Sequence, residues 1–310
     1  MHEDPTDESS PIEKHVFRIL RHQLLGKMLE IVLTPVDITV ESEVQVMSAP
    51  PKADLLLLRR NGRRWSKEQR KLLPDGIRDR QARHHLLECK FSESLNADAL
   101  QQALGYDYFY RQTQRIREAE LQTYVVSAKT PQTTLLGNLG YRAVEQPGVY
   151  VTTLDVMQRV VVLVLNELRD EPQNEFLRLF ASRKLVRQQT IDHVFQQPAG
   201  ELPEPLLAVI FGLQRLYQME GTAMNQEMTV DDVMKMGRDL RKQVLASASP
   251  AERLAGMTPE EHLAGMDLEK FLASLAPEQR LAGMTPEEMV ILRERLDALL
   301  TKQSADKPQH

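Results

Sequence analysis

The first half of the chain alternates apolar and polar residues as strands do, and the second half shows helical spacing. The clearest period-two alternation lies in residues 36–47. The elements predicted up to residue 153 are a helix over 10–23, strands over 28–33, 36–47, 52–58 and 85–91, a helix over 96–117 capped by Asn96, a strand over 121–128 and a hairpin over 141–152. This order predicts an α/β domain over residues 10–153 with a mixed central sheet flanked by helices, preceded by a disordered segment, 1–9.

The second half is predicted to be all-α. Apolar residues recur at helical spacing over 154–169, 174–196, 205–219 and 229–245, and Pro or Gly residues separate these stretches. They form a helical region, 154–243. Because this region gathers no cluster of Cys, His or carboxylate residues, its helices are expected to pack on the sheet or on another subunit.

Residues 244–288 contain a nine-residue repeat, followed by a final helix and tail over 289–310. Leu254, Leu263, Leu272 and Leu281 mark the four complete units. Nine residues make about 2.5 helical turns, so a continuous helix would place successive leucines on opposite sides. Breaks such as Gly-Met-Thr-Pro instead favour short stacked helices that serve as an arm for homo-oligomerisation or a protein partner. A flexible, partly helical tail is the alternative.

Composition narrows the function classes without selecting one. The 310 residues are 42% hydrophobic and 27% charged, as in an ordinary soluble protein. The single cysteine, Cys89, excludes an internal disulfide and suits a cytoplasmic location; its strand position predicts an inert core thiol rather than a nucleophile. No stretch approaches the roughly 20 apolar residues that cross a bilayer, and the acidic N-terminus resembles no secretory signal, so no membrane role is expected.

Charged residues interrupt two strands that are otherwise hydrophobic. Glu88 and Lys90 share one face of their strand because side chains alternate, and Asp54 lies in the strand before it. Burying such charges costs several kcal/mol by order of magnitude unless a partner or a metal compensates. Asp54 and Glu88 could bind Mg²⁺ or Mn²⁺ through carboxylate oxygens, with Lys90 offsetting charge on a phosphate. An exposed ion pair on an edge strand is the alternative.

A basic segment, residues 59–83, separates these two strands. It contains ten Lys or Arg residues against three acidic ones, a net charge of +7, whereas the whole chain is at −5. This asymmetry favours contact with a phosphate backbone. Arg63 and Arg64 are candidate phosphate contacts, and Trp65, the only tryptophan, could stack on a base or a sugar. The alternative is a solvated loop whose charges have no function.

Asp54 followed by Glu88-x-Lys90 resembles the motif of the PD-(D/E)XK nuclease superfamily, with Ala53 in place of the motif's proline. Gln102 and Tyr106, four apart on the next helix, resemble the Gln-x-x-x-Tyr motif of the RecB-related branch. The resemblance implies a restriction-endonuclease-like fold, Mg²⁺ or Mn²⁺ as cofactor, and hydrolysis of DNA. Asp54, Glu88 and Lys90 would then be catalytic, and Gln102 and Tyr106 would orient the substrate.

In this superfamily the first helix often donates a further metal-binding glutamate. Glu13 is the first candidate for that position and Glu30 the second, although a helix-capping role accounts for Glu13 equally well. A nuclease core followed by a helical, repeat-bearing tail is similar in layout to recombination-promoting nucleases and transposase-like proteins. The competing hypothesis is an inactive nuclease fold that binds nucleic acid or a protein partner. Both hypotheses predict contact with DNA, and only the first predicts cleavage.

Overall fold

The computed structural model describes residues 11–42, 55–62, 64–196, 202–219, 228–247, 285, 289–293 and 295, without the side chains of 11–18, Leu55, Thr133 and Leu245. The chain forms two compact units, Met1–Gly256 and Met257–His310. In the second unit, residues 289–293 are helical and the Met289 amide donates to the Thr285 carbonyl. Most of the predicted repeat, 244–288, lies outside the described residues.

A seven-stranded mixed sheet forms the centre of the first unit, in the order β1-β2-β3-β4-β7-β6-β5. Neighbouring strands are antiparallel except for the parallel pairs β3–β4 and β4–β7. The strands are β1 (Ile38–Ser42), β2 (Leu55–Arg60), β3 (His84–Lys90), β4 (Leu121–Ser127), β5 (Tyr141–Ala143), β6 (Val149–Thr152) and β7 (Val160–Val164). The predicted α/β class with a mixed sheet is therefore confirmed.

Helices cover both faces of this sheet. They are α1 (Pro11–Leu33), α2 (Lys67–Leu72), α3 (Ala97–Gln114), α4 (Thr133–Asn138), α5 (Glu175–Arg178), α6 (Lys184–Gln196), α7 (Glu204–Gln218) and α8 (Val230–Ser247). Among the described residues, no helix is both long and apolar enough to cross a membrane.

Alternation along the strands divides the core into two parts. On the α1 face, Leu56, Leu87 and Leu163 pack with residues of α1 and of the later helices. On the α3 face, Leu57 and Leu86 pack against Tyr106 and Tyr110 of α3, and alternate valines of β4 and β7 pack against the first half of α3: Val125, Val160, Val162 and Val164. Any strand side chain can thus be assigned to a face from its position.

The first helix is longer than the sequence predicted. Residues 28–33 were expected to form a strand, but α1 continues through them to Leu33. Leu24, Leu25, Met28 and Leu33 are all buried, at the spacing that turns one side of a helix towards a core. The dense apolar run is therefore the buried side of one long helix, which ends just before Pro35.

The helix predicted over residues 154–169 is also wrong. Within it, Val160–Val164 forms β7, which lies between β4 and β6 and has all five residues buried. A strand covered on both faces is apolar throughout and lacks alternation, so periodicity alone does not separate it from a buried helix. The sheet consequently extends past residue 153.

The later helices lie at their predicted positions, except that one predicted helix is divided into two. The stretch predicted over 174–196 is two helices, α5 and α6, whereas α7 and α8 agree closely with the predicted 205–219 and 229–245. Where α7 and α8 cross, Gly237 lies against Ala208: a Cβ atom at this glycine would collide with the Ala208 carbonyl oxygen. The two helices approach each other backbone to backbone at this point.

Candidate functional site

Glu88 and Lys90 form an ion pair on the α3 face of β3. Lys90 Nζ lies 2.8 Å from Glu88 Oε1, and Glu88 is only 2% exposed. They lie two positions apart on β3 and so project from the same face, as alternation predicted. Because Glu88 is buried, neighbouring protein groups such as Lys90 stabilise its carboxylate in place of water.

Helix α3 extends this pair into a longer chain of contacts. The Asn96 side chain accepts from the Ala99 amide at 2.8 Å and caps the start of the helix, as predicted. Lys90 Nζ donates to Gln102 Oε1 at 3.2 Å, and Gln102 Nε2 donates to the Tyr106 hydroxyl at 2.6 Å. Four of the residues proposed from the sequence therefore meet in one contiguous group.

The other proposed carboxylates are less well defined. Asp54 lies outside the described residues; Leu55, the next residue in the chain, is paired with Glu88 across β2 and β3. Glu30 forms an exposed ion pair with Lys27, 3.0 Å apart, on α1 and thus on the other side of the sheet. The structure therefore gives no support to Glu30 as a ligand.

Glu13 lies in the first turn of α1, and its side chain is outside the described residues. Gly26, thirteen residues further along, lies so close to the sheet that a Cβ there would be 3.2 Å from Leu56, the strand partner of Leu87. Thirteen residues of helix rise about 20 Å. This separation weighs against a metal ion shared by Glu13 and Glu88.

Within the described residues, no three His, Cys, Asp or Glu side chains group together as metal ligands. Asp54 and the side chain of Glu13 are not among those residues, so the predicted Mg²⁺ or Mn²⁺ site stays a prediction. The Glu88 carboxylate has the hard-oxygen chemistry that either ion prefers.

Trp65 packs in the core on the α1 face. It is 8% exposed, its indole N–H donates to the Arg80 carbonyl at 3.0 Å, and its ring lies 5.2 Å from the ring of His85. His85 is three residues from Glu88 on β3, so the two project from opposite faces. The stacking role predicted for Trp65 thus has no support, because this ring is part of the protein core.

Much of the basic segment lies, like Trp65, on the α1 face of the sheet. A Cβ at Gly76 would touch Leu163 and Val149, both core residues of that face. Arg70 pairs with Asp79 at 3.0 Å within the segment. Arg64 is exposed and Arg63 is outside the described residues. A groove of about 660 Å³ borders this part of the surface; its lining includes Lys67, Arg70, Lys71, Arg78, Arg169 and three acidic residues.

A second polar group on the α3 face was not predicted. The Tyr110 hydroxyl and His84 Nδ1 lie 2.8 Å apart, and Arg59 pairs with Glu41 at 3.2 Å. Burial, reinforced by the charge of Glu41 and opposed by that of Arg59, raises the pKa of Tyr110 to about 12. Tyr110 follows Tyr106 by four residues on the same side of the helix, and this spacing is the signal by which the sequence could have indicated the pair.

Asp107 of α3 anchors this helix to the sheet through contacts with Thr123 of β4 and with Arg159. The carboxylate is 1% exposed and accepts hydrogen bonds from Arg111 at 2.8 Å, from Thr123 at 2.9 Å and from Arg159 at 2.9 Å. Burial acts to lower the pKa of Arg159, but its bonds to Asp107 and the nearby Glu118 raise it overall. This network fixes the helix that holds Gln102 and Tyr106. Its Asp107–Arg111 bond follows the four-residue spacing of a helix, whereas no local sequence pattern links Asp107 to Thr123 or Arg159.

Comparison of the chain with protein-family models, with curated proteins and with solved structures gives no match.

Proposed function

We propose that the protein is a metal-dependent nuclease that hydrolyses DNA phosphodiester bonds through a PD-(D/E)XK-type site. The observation that carries the proposal is the buried Glu88–Lys90 ion pair, extended by Gln102 and Tyr106 of the following helix. These are the residue types, in the chain order, that the resemblance to the RecB-related branch requires. An incidental surface ion pair would not need to be buried or to be joined to a neighbouring helix.

The architecture supports the same proposal. The chain runs from α1 through the antiparallel strands β1, β2 and β3 to α3 and then to β4, which is parallel to β3. This order of helix, strands, helix and strand is the one that the resemblance implies for a restriction-endonuclease-like core. Glu88 and Lys90 lie on an interior strand, which holds side chains more firmly than a loop does.

Each residue then has a defined role. Glu88 and Asp54 would hold Mg²⁺ or Mn²⁺, and a bound ion would polarise the phosphoryl group and activate water. Lys90 would offset negative charge on the phosphate as it develops. Gln102, hydrogen bonded to both Lys90 and Tyr106, would fix the position of the ammonium group.

A non-catalytic module that binds nucleic acid or a protein partner is the second candidate. The closed contact between Lys90 Nζ and Glu88 Oε1, at 2.8 Å, is the observation behind it, because an ion pair with a purely structural role would have the same geometry. The two candidates differ in whether the chain cleaves the DNA that it binds.

The test is cleavage of labelled single- and double-stranded DNA with Mg²⁺, with Mn²⁺ and with a chelator. We expect metal-dependent cleavage by the wild type and its loss in Asp54→Ala and Lys90→Ala, with DNA binding retained. Lys71→Ala, an exposed lysine of α2, is the matched control and should cleave normally. A purified wild type that binds DNA but does not cleave it with either metal would exclude the nuclease and favour the second candidate.

A further inference from the structure

Helix α3 carries an exposed aromatic side chain in line with the candidate site. At 100° per residue, Phe109 lies about 20° from Gln102 around the helix, and Tyr106 lies about 40° from Gln102 on the other side. Tyr106 and Tyr110 are buried, whereas Phe109 is 42% exposed. Gln102 and Phe109 thus define one strip along the surface of α3. Gln102 contacts Lys90 at one end of this strip, and the exposed Phe109 ring lies about 10 Å further along the helix axis.

The direction in which this strip faces follows from the packing of α3. Tyr106 and Tyr110, about 40° and 80° from Gln102 around the helix, pack on Leu57 and Leu86 of β2 and β3. About 140° from Gln102 around α3, Asp107 accepts hydrogen bonds from Thr123 of β4 and from Arg159, the residue before β7. Phe109 consequently lies on the edge of α3 nearer to β2 and β1.

Charge and open space lie along the same edge. Arg59 of β2 is on the α3 face, about one-third exposed and paired with Glu41 at 3.2 Å, and the charges of both residues act on Tyr110, the residue next to Phe109. Gly105, one turn before Phe109, has no neighbouring atom within 4 Å of the place where a Cβ would stand. An exposed ring, a partly exposed cation paired with Glu41, and an open helix surface thus lie on the same side of the sheet as Lys90.

We propose that Phe109 is a stacking platform for a base of an unpaired nucleic-acid strand on its way to the Glu88–Lys90 site. This inference rests on the proposed nuclease function and adds the substrate class and the residue that selects it. A phenyl ring offers a π-face and no hydrogen bond, so it binds any base without reading sequence. Only an unstacked base presents its own face to such a ring, and this favours single-stranded over duplex substrate.

Tyr108 provides a matched control on the same turn. It is 52% exposed and lies in edge-to-face contact with Phe109, with ring centroids 5.5 Å apart. It lies about 120° from Gln102 around the helix, beyond Phe109, so its side chain leaves α3 in a direction away from the candidate site. A general loss of exposed aromatic surface would affect both variants, whereas base stacking at the site requires Phe109 alone.

The experiment is fluorescence anisotropy with a labelled single-stranded oligonucleotide and with its duplex, in the presence of a chelator that prevents cleavage. We expect Phe109→Ala to weaken single-strand binding by about 5- to 100-fold, the loss of one base–aromatic stack, and to change duplex binding less than twofold. Tyr108→Ala should bind both as the wild type does. Phe109→Trp keeps an aromatic ring and should bind the single strand as the wild type does. The single strand should quench the fluorescence of the new tryptophan, while the fluorescence of the buried Trp65 stays constant.

Equal single-strand affinity of Phe109→Ala and the wild type, or an equal loss in Phe109→Ala and Tyr108→Ala, would overturn the inference. If the wild type still cleaves DNA in that case, the nuclease proposal survives and only the stacking role fails. A wild type that neither binds nor cleaves single- or double-stranded DNA would overturn both.

Discussion

Trp65 and Glu88 lie on opposite faces of the central sheet. The Trp65 ring contacts His85 on the α1 face, and Glu88, three residues along the same strand, projects among residues of the α3 face. The basic segment, one continuous charged stretch in the sequence, is therefore divided by the fold. Arg59 stays on the side of the candidate site, while Lys67 and Lys71 of α2 line a groove with Asp75 and Arg169.

Removing charge from the two parts of the segment should have different effects. Arg59→Gln is expected to weaken DNA binding and to reduce its salt slope by about 1, because one phosphate contact on the α3 face would be lost. The double variant Lys67→Ala/Lys71→Ala should bind and cleave within about twofold of the wild type. Binding titrations over a range of salt concentrations provide the measurement. A larger effect of the α2 double variant would instead place DNA on the α1 face.

Replacement of Gln102 by alanine should reduce cleavage without reducing binding. The amide joins Lys90 to Tyr106, so its loss frees the ammonium group to move, and positioning groups of this kind typically contribute about 10- to 100-fold to activity. Single-turnover cleavage rates measure the effect. Gln101→Ala, an exposed neighbour on α3, is the control. Equal effects of the two variants would show that Gln102 has no positioning role.

His85 should make the fold sensitive to mild acid. Its ring is enclosed between Trp65 and Tyr124, and burial lowers its pKa to about 3. The unfolded chain takes up the proton near pH 6.5, so the stability contributed by neutral His85 is complete above that pH and is lost as the pH falls towards 3.

Between about pH 7.5 and 5.5 this loss amounts to about 1.4 kcal/mol of unfolding free energy. Denaturant unfolding at the two pH values measures it, and His85→Gln should remove that part of the pH dependence. The pKa of His84 is also lowered, first by burial and then by Arg83 and Arg59, so a smaller slope of the same sign should persist in the variant. An unchanged slope in His85→Gln would contradict the prediction.

Two glycines should respond to alanine in opposite ways. Gly237→Ala is expected to destabilise the protein by about 1–3 kcal/mol or more, because its Cβ would meet the Ala208 backbone where α7 and α8 cross. Gly105→Ala, in a helix with open space around the added methyl group, should stabilise it by about 0.5–1 kcal/mol. Thermal and denaturant unfolding compare them. Tolerance of alanine at Gly237 would mean that the helices are further apart than described.

The sequence alone determined the relations that depend on local backbone geometry. Two residues along a strand return to the same face and four residues along a helix return to the same side, so the pairing of Glu88 with Lys90 and the alignment of Gln102 with Tyr106 were predictable. The Asn96 cap and the mixed α/β class followed from equally local signals.

Only the tertiary structure decided which surface each element covers. The apolar runs at residues 28–33 and 160–164 became a helix and a strand because of what packs against them, and their periodicity could not separate the two cases. Trp65 enters the core because the chain after β2 folds over the α1 face. Asp107 accepts a hydrogen bond from Arg159, which is 52 residues away in the sequence. Burial and charge pairing depend on contacts between distant parts of the chain, and local periodicity carries no information about those contacts.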